Sequence, residues 1–156
     1  MKDVRNNGKA IETAISKVFK KLMLQSKCVI IRLHDTKSAA YYLPPSPGDF
    51  MGTAMGKPLL VECKSSDVRH SFSDCRVKDY VEDIQFGYQK LWLRQKSCSL
   101  FVFHSVVTGD CEFWNGKHVL QAYSNGTALQ VRDRLAACPI TPKLLTNTTD
   151  EVLELL

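Results

Sequence analysis

Two carboxylates and one ammonium stand out by type and spacing: Asp49 in Gly48-Asp49-Phe50, then Glu62 and Lys64 in Val61-Glu62-Cys63-Lys64. Side chains of an extended strand alternate faces, so Glu62 and Lys64 share one face while Leu59, Val61 and Cys63 share the other. If the two segments form a hairpin, Asp49 lies on the neighbouring strand and meets Glu62 across the turn. Mg²⁺ is a hard cation that takes oxygen ligands and keeps several waters. Asp49 and Glu62 supply two oxygens, and the backbone carbonyl of Cys63 can supply a third. Such a cation orients a phosphate, offsets its charge and acidifies water. Lys64 is placed to hold the attacking water and to balance phosphate charge. The chemistry this set predicts is phosphodiester hydrolysis. Taken alone, however, an Asp in a turn and an E-x-K at a strand end also suit an ordinary exposed surface.

Two polar residues on apolar helix faces add to the set. Glu12 sits at the edge of a helical stripe near Phe19 and Met23, where a half-buried carboxylate needs a partner. A shared metal site would be one, and a position at the solvent boundary is the alternative. Gln85 falls between Val81 and Trp92 on a second helical pattern and also needs hydrogen-bond partners. It is expected either to face the site or to be satisfied by nearby backbone.

The elements that must carry these residues follow from periodicity. Gly8–Leu24 has apolar residues at helical spacing, with Ala10, Ile11, Ala14, Ile15, Val18, Phe19, Leu22 and Met23 in one stripe. Cys28–Leu33 is a β-branched run that predicts a strand. His34–Pro47 reads as a loop. Asp49–Met51, a turn at 52–56 and Pro58–Lys64 read as the hairpin, and Ser65–Arg76 as a polar surface loop. Val77–Gln95 predicts a second long helix, and Ser99–His104 a strand. Asn115-Gly116 between Cys111–Trp114 and Lys117–Gln121 signals a tight hairpin turn. Thr127–Cys138 is expected to be a third helix and Thr149–Leu156 a short terminal one. This order predicts a mixed α/β fold, a central mixed sheet flanked by helices.

Composition sets the bounds. The 156 residues suit one domain spanning 1–156, and 44% hydrophobic with 24% charged residues is an ordinary globular balance. No apolar run approaches the roughly 20 residues that cross a bilayer. The polar stretch Met1–Lys9 lacks a secretory signal, so a cytoplasmic location without membrane attachment is expected. The six cysteines are scattered without a C-x-x-C pair, which predicts reduced, mostly buried thiols. A G-x-S-x-G elbow and a P-loop are both absent, and His34, His70, His104 and His118 show no ligand spacing. A net charge of +5 suits a nucleic-acid partner without requiring one. The DNA-contact candidates are Arg5, Lys9, Lys57, Arg69 and Arg76, with Lys17, Lys20, Lys21 and His70 as further members. Trp92 and Trp114 are expected in the core.

In order along the chain come Gly8-Lys9-Ala10-x-Glu12, Gly48-Asp49-Phe50 with Gly52, Gly56-Lys57, Val61-Glu62-Cys63-Lys64-Ser65-Ser66, Ser71-Phe72, Gln85 and the apolar strand Leu100–Phe103. This series resembles the RecU-type Holliday junction resolvases of the PD-(D/E)XK nuclease superfamily, over roughly residues 8–121. The resemblance implies a restriction-endonuclease-like core and Mg²⁺-dependent DNA cleavage, with Mn²⁺ able to substitute. It implies an active site of Glu12, Asp49, Glu62, Lys64 and Gln85, which contains the metal ligands expected from the residues themselves, Asp49 and Glu62, with the Cys63 carbonyl beside them. It further implies a homodimer acting on branched DNA in recombination and repair. Two features depart from that pattern: Leu33–Gly48 replaces a longer protruding segment, and Cys63 stands where the family has Ala. A restriction-type or DNA-processing nuclease and a non-cleaving DNA-binding module are the alternative readings.

Overall fold

Residues 7–33 and 46–156 are described by the computed structural model of the chain. The first amphipathic stripe forms α1 (Asn7–Leu24), which buries Ile11, Ile15, Val18, Phe19 and Leu22. Then follow β1 (Cys28–Arg32), β2 (Phe50–Ala54), β3 (Lys57–Ser66), α2 (Asp83–Arg94), β4 (Cys98–Ser105), β5 (Asp110–Asn115), α3 (Gly116–Asn125), β6 (Arg134–Pro139) and α4 (Pro142–Leu155). All six strands join one mixed sheet in the order β1-β2-β3-β4-β5-β6. Among the described residues only β3 and β4 run parallel, which is why a long connection containing α2 links them. The expected mixed α/β fold with a central mixed sheet and flanking helices is what forms. Among the described residues no helix is long and apolar enough to cross a membrane.

Strand alternation divides the core in two. Leu59, Val61 and Cys63 of β3 and Leu100 and Val102 of β4 pack with α1 and α4. Phe101 and Phe103 of β4 face the other way, onto Val119, Ala122 and Tyr123 of α3 and onto Phe72. Glu62 therefore belongs to the second face, although the chain on either side of it is apolar and buried.

Several boundaries differ from expectation. The turn of the hairpin is Met55-Gly56, both with positive φ (52° and 75°), and β2 runs on through Gly52 to Ala54. A two-residue turn of this hand matches strand twist. Gly52 is needed for close approach instead, because a Cβ there would sit 1.9 Å from the Val29 carbonyl oxygen. Ser65–Arg76 is not wholly a surface loop: β3 extends to Ser66, and Phe72 is buried in a 3-10 turn capped by Ser71 and Asp74. The second helix starts at Asp83, after a separate 3-10 turn at Val77–Asp79.

Asn115-Gly116 is not a hairpin turn. Asn115 caps α3 by accepting from the Lys117 N–H at 3.0 Å, and Gly116 passes so close to Ser99 that no side chain would fit. Thr127–Cys138 is likewise not a helix. It contains a 3-10 turn and then β6, which pairs with β5 and supplies the far edge of the sheet. The terminal helix starts earlier than expected, at Pro142. The loop expected at His34–Pro47 lies mostly outside the described residues.

Candidate active site

The site lies where β2 begins, beside the later half of β3. The β2–β3 register begins at the pair Phe50 and Val61, and Asp49 immediately precedes it. The Asp49 N–H donates to the Val61 carbonyl at 2.9 Å, and the Leu33 N–H donates to the Asp49 carbonyl at 2.8 Å. The residue is thus tied to strands on both sides. Its carboxylate takes over where strand pairing ends, with Oδ2 accepting from the Cys63 N–H at 2.7 Å. In an antiparallel strand the N–H and C=O of one residue point to the same edge. The Cys63 carbonyl is therefore on the Asp49 side.

Glu62 is 3% exposed, and its position is fixed from α2. The Gln85 Nε2 donates to Glu62 Oε1 at 2.5 Å, while Gln85 Oε1 accepts the Glu82 N–H at 3.1 Å as part of a capping box. Both ends of the Gln85 amide are engaged, one by the helix terminus and one by the site. Lys64 lies on the same strand face as Glu62, with Nζ 3.9 Å from Oε1.

The electrostatics reflect crowding of negative charge. Burial pushes the Asp49 carboxyl up to about 6; Glu12 adds to that, while the Cys63 N–H, Lys64 and Arg32 work against it. Burial also holds the Glu62 carboxyl well above the usual range; Asp49 reinforces this and Lys64 opposes it. Burial and the neighbouring carboxylates push the Cys63 thiol well up as well, so that side chain behaves as an inert core group.

These features bear on a cation. Buried Glu62, whose ionisation half-buried Asp49 disfavours, has only the more distant Lys64 ammonium to balance it and is short of positive charge. A divalent cation held by Asp49, Glu62, the Cys63 carbonyl and water would supply it. Among the described residues no group of three or more His, Cys, Asp or Glu side chains could hold a metal ion. The donor set that would fit is two carboxylates plus a backbone carbonyl, all hard oxygens of the kind a hydrated ion such as Mg²⁺ takes.

The other candidates are distributed as follows. Glu12 is half-buried on α1 and pairs with Arg32 of β1, and its field reaches Asp49. Lys9 is exposed and lines the same cavity as Glu12 and Asp49. Arg69 is exposed in the segment after β3. Lys57 does not surround the site: it starts β3, five residues before Glu62, and donates to the Leu156 carbonyl at 3.0 Å. Arg76 is also remote, exposed beside its ion-pair partner Asp79 at 3.3 Å. Arg5 lies outside the described residues. Trp114 is fully buried, and Trp92 is half-buried with its Nε1 donating to the Cys98 carbonyl at 2.8 Å.

Sequence reasoning missed Arg32 and Glu82. Arg32 ends a β-branched run whose partner strand was misplaced by the hairpin assignment. Glu82 carries the i to i+3 capping spacing with Gln85, a signal that was available. No protein-family model matches this chain, and no curated protein matches it.

Proposed function

We propose that the protein is a divalent-cation-dependent DNA endonuclease that hydrolyses phosphodiester bonds. A four-way junction is the preferred substrate, a homodimer the working form, Mg²⁺ the cation (Mn²⁺ substituting) and the cytoplasm the location. The observation that carries this reading is the convergence of Asp49 and Glu62, both with raised carboxyl pKa values, beside Lys64.

When bound, the cation would offset charge on the scissile phosphate and acidify a water beside it. The chain's own residues have distinct tasks. Asp49 is held through Oδ2 by the Cys63 N–H, and its second oxygen would take the cation. Gln85 orients Glu62 and keeps its carboxylate in the same place through the reaction. Lys64 contributes positive charge toward the phosphate and a donor to the attacking water. Exposed Lys9 and Arg69 offer contacts to neighbouring phosphates, which give affinity without reading sequence.

The test incubates the protein with Mg²⁺ and labelled four-way, linear duplex and single-stranded DNA. Paired symmetric nicks in the four-way substrate, lost in Asp49→Ala, support the proposal. Equal cutting of linear duplex would move the reading to a restriction-type or DNA-processing nuclease. Binding without cutting in both Mg²⁺ and Mn²⁺ would leave a DNA-binding module.

A further inference from the structure

A cavity of about 350 Å³ opens beside the carboxylate pair, and of its lining the mechanism above uses only Asp49 and Lys9. Lys9 and Glu12 of α1, Arg32 at the end of β1, Ser46 and Asp49 all line it. Arg32 lies on the strand face shared with buried Cys28 and Ile30, the face that α1 covers. It engages Glu12 through one guanidinium nitrogen, and its charge acts on Asp49. A guanidinium carries five N–H donors in a planar fork, far more than one carboxylate oxygen takes up. A half-exposed ion pair of this kind contributes little to folding.

The geometry points to this cavity as the subsite for a second DNA phosphate, next to the one that is cut, with Arg32 as its principal ligand and Lys9 as support. The assignment rests on the nuclease reading of Asp49 and Glu62. Two considerations favour a phosphodiester as the occupant. Arginine forks match phosphate oxygens, and successive phosphates of a strand advance only about 3.4 Å along the duplex axis, so a cation-lined cavity touching Asp49 falls within a step or two of the scissile group. By count the cavity is also balanced, with Lys9 and Arg32 against Glu12 and Asp49. It gains net positive character only when a divalent cation matches the Asp49 and Glu62 charge. Phosphate and cation therefore enter together.

The test is a cycle between Arg32 and individual phosphates. The probe is a labelled four-way junction carrying one neutral methylphosphonate at a time on either side of the cut. Binding is measured in Ca²⁺ and again in EDTA. In Ca²⁺, one linkage beside the cut should weaken wild-type binding roughly tenfold, the scale of a charge-assisted contact. Arg32→Gln should lose about the same on native DNA and nothing further from that linkage, with Arg32→Lys in between. In EDTA the difference between wild type and Arg32→Gln should vanish. If the two losses multiply at every linkage, or wild type tolerates neutral linkages throughout, the subsite is wrong while the nuclease reading stands. If wild type cuts no DNA in Mg²⁺ or Mn²⁺, both fall together.

Discussion

The second face of the sheet buries two glutamates, and they are treated differently. Glu112 on β5 is 5% exposed and Glu62 on β3 is 3% exposed. Glu112 is richly supplied: it accepts from the Phe72 N–H at 3.3 Å and from Trp114 Nε1 at 3.0 Å, and it pairs with Arg134 at 3.5 Å. Glu62 has one amide from Gln85 and a more distant ammonium from Lys64, and it shares its space with Asp49. Burial alone therefore does not mark a site. A buried carboxylate with its donors and counter-charge in place is a structural joint, here fixing the 3-10 turn and β6 to β5. A buried carboxylate left short of positive charge is where a cation would be stabilised, which is the role proposed for Glu62.

Replacing each glutamate by glutamine separates the two roles and is expected to give the largest effects. Glu62→Gln should cut turnover about a thousandfold or more, equivalent to roughly 4 kcal/mol of transition-state stabilisation, with the fold intact. Glu112→Gln places an amide NH₂ among groups that are all donors. It should cost roughly 3 kcal/mol of stability, a fall in Tm on the order of 10 °C, while the folded fraction keeps its turnover per molecule. Thermal melts and cleavage rates on both variants check this. If Glu62→Gln destabilised the chain as Glu112→Gln should, and cleavage were unaffected, the contrast would be lost.

The crowding of carboxylates at Glu62 and Asp49 also predicts a dependence on pH. The Asp49 carboxyl sits at about 6 in the folded chain, against an ordinary 3.8. Between those values the folded state holds more protons than the unfolded one, so cation-free stability falls as pH rises through that window. The loss is complete above about 6 and amounts to roughly 2–3 kcal/mol for this residue. Asp49→Asn keeps an acceptor for the Cys63 N–H and removes the charge. It should raise the cation-free Tm at pH 7.5 by on the order of 5 °C and abolish cleavage. Mg²⁺ affinity of the unaltered chain should climb with pH through about 6, because binding displaces protons. A melt series from pH 4 to 8 with and without Mg²⁺ decides it. A cation-free chain that gains stability across that range would contradict the assignment.

How much of this was legible in the sequence depends on whether one strand or helix decided the outcome. Asp49, Glu62 and Lys64 were readable because period two and a short turn suffice to bring them together. Gln85 was readable because a polar residue interrupts a helical stripe. Glu112 was not, since one Glu in an apolar strand looks like simple alternation, and its partners come from Phe72 and Arg134, forty and twenty-two residues away. Thr127–Cys138 shows the same limit. Leu129, Val131, Leu135 and Ala136 suit a helix, but pairing with the free edge of β5 outweighs local preference. Asn115-Gly116 has equal local claims as a turn and as a helix cap, and the close approach to Ser99 decides between them.

The smallest expected effect tests whether Glu62 depends on its partner from α2. α2 meets the sheet through side-chain hydrogen bonds: Gln85 to Glu62, Gln89 with Ser99, and Trp92 to the Cys98 carbonyl. Gln89 and Trp92 remain in place when Gln85 is removed, so the helix should stay docked. Gln85→Ala then frees the Glu62 carboxylate to rotate and opens the α2 cap at Glu82. The expected loss is ten- to a hundredfold in Mg²⁺ affinity or turnover, the range found when a partner of a metal ligand is removed, with about 1 kcal/mol from the cap. Gln85→Glu places a third carboxylate against Glu62 and should be worse than Ala, since repulsion adds to lost orientation. Titrating Mg²⁺ into both variants gives the ranking, and Gln85→Glu binding more tightly than Gln85→Ala would show that this residue had itself become a ligand and was never only a brace.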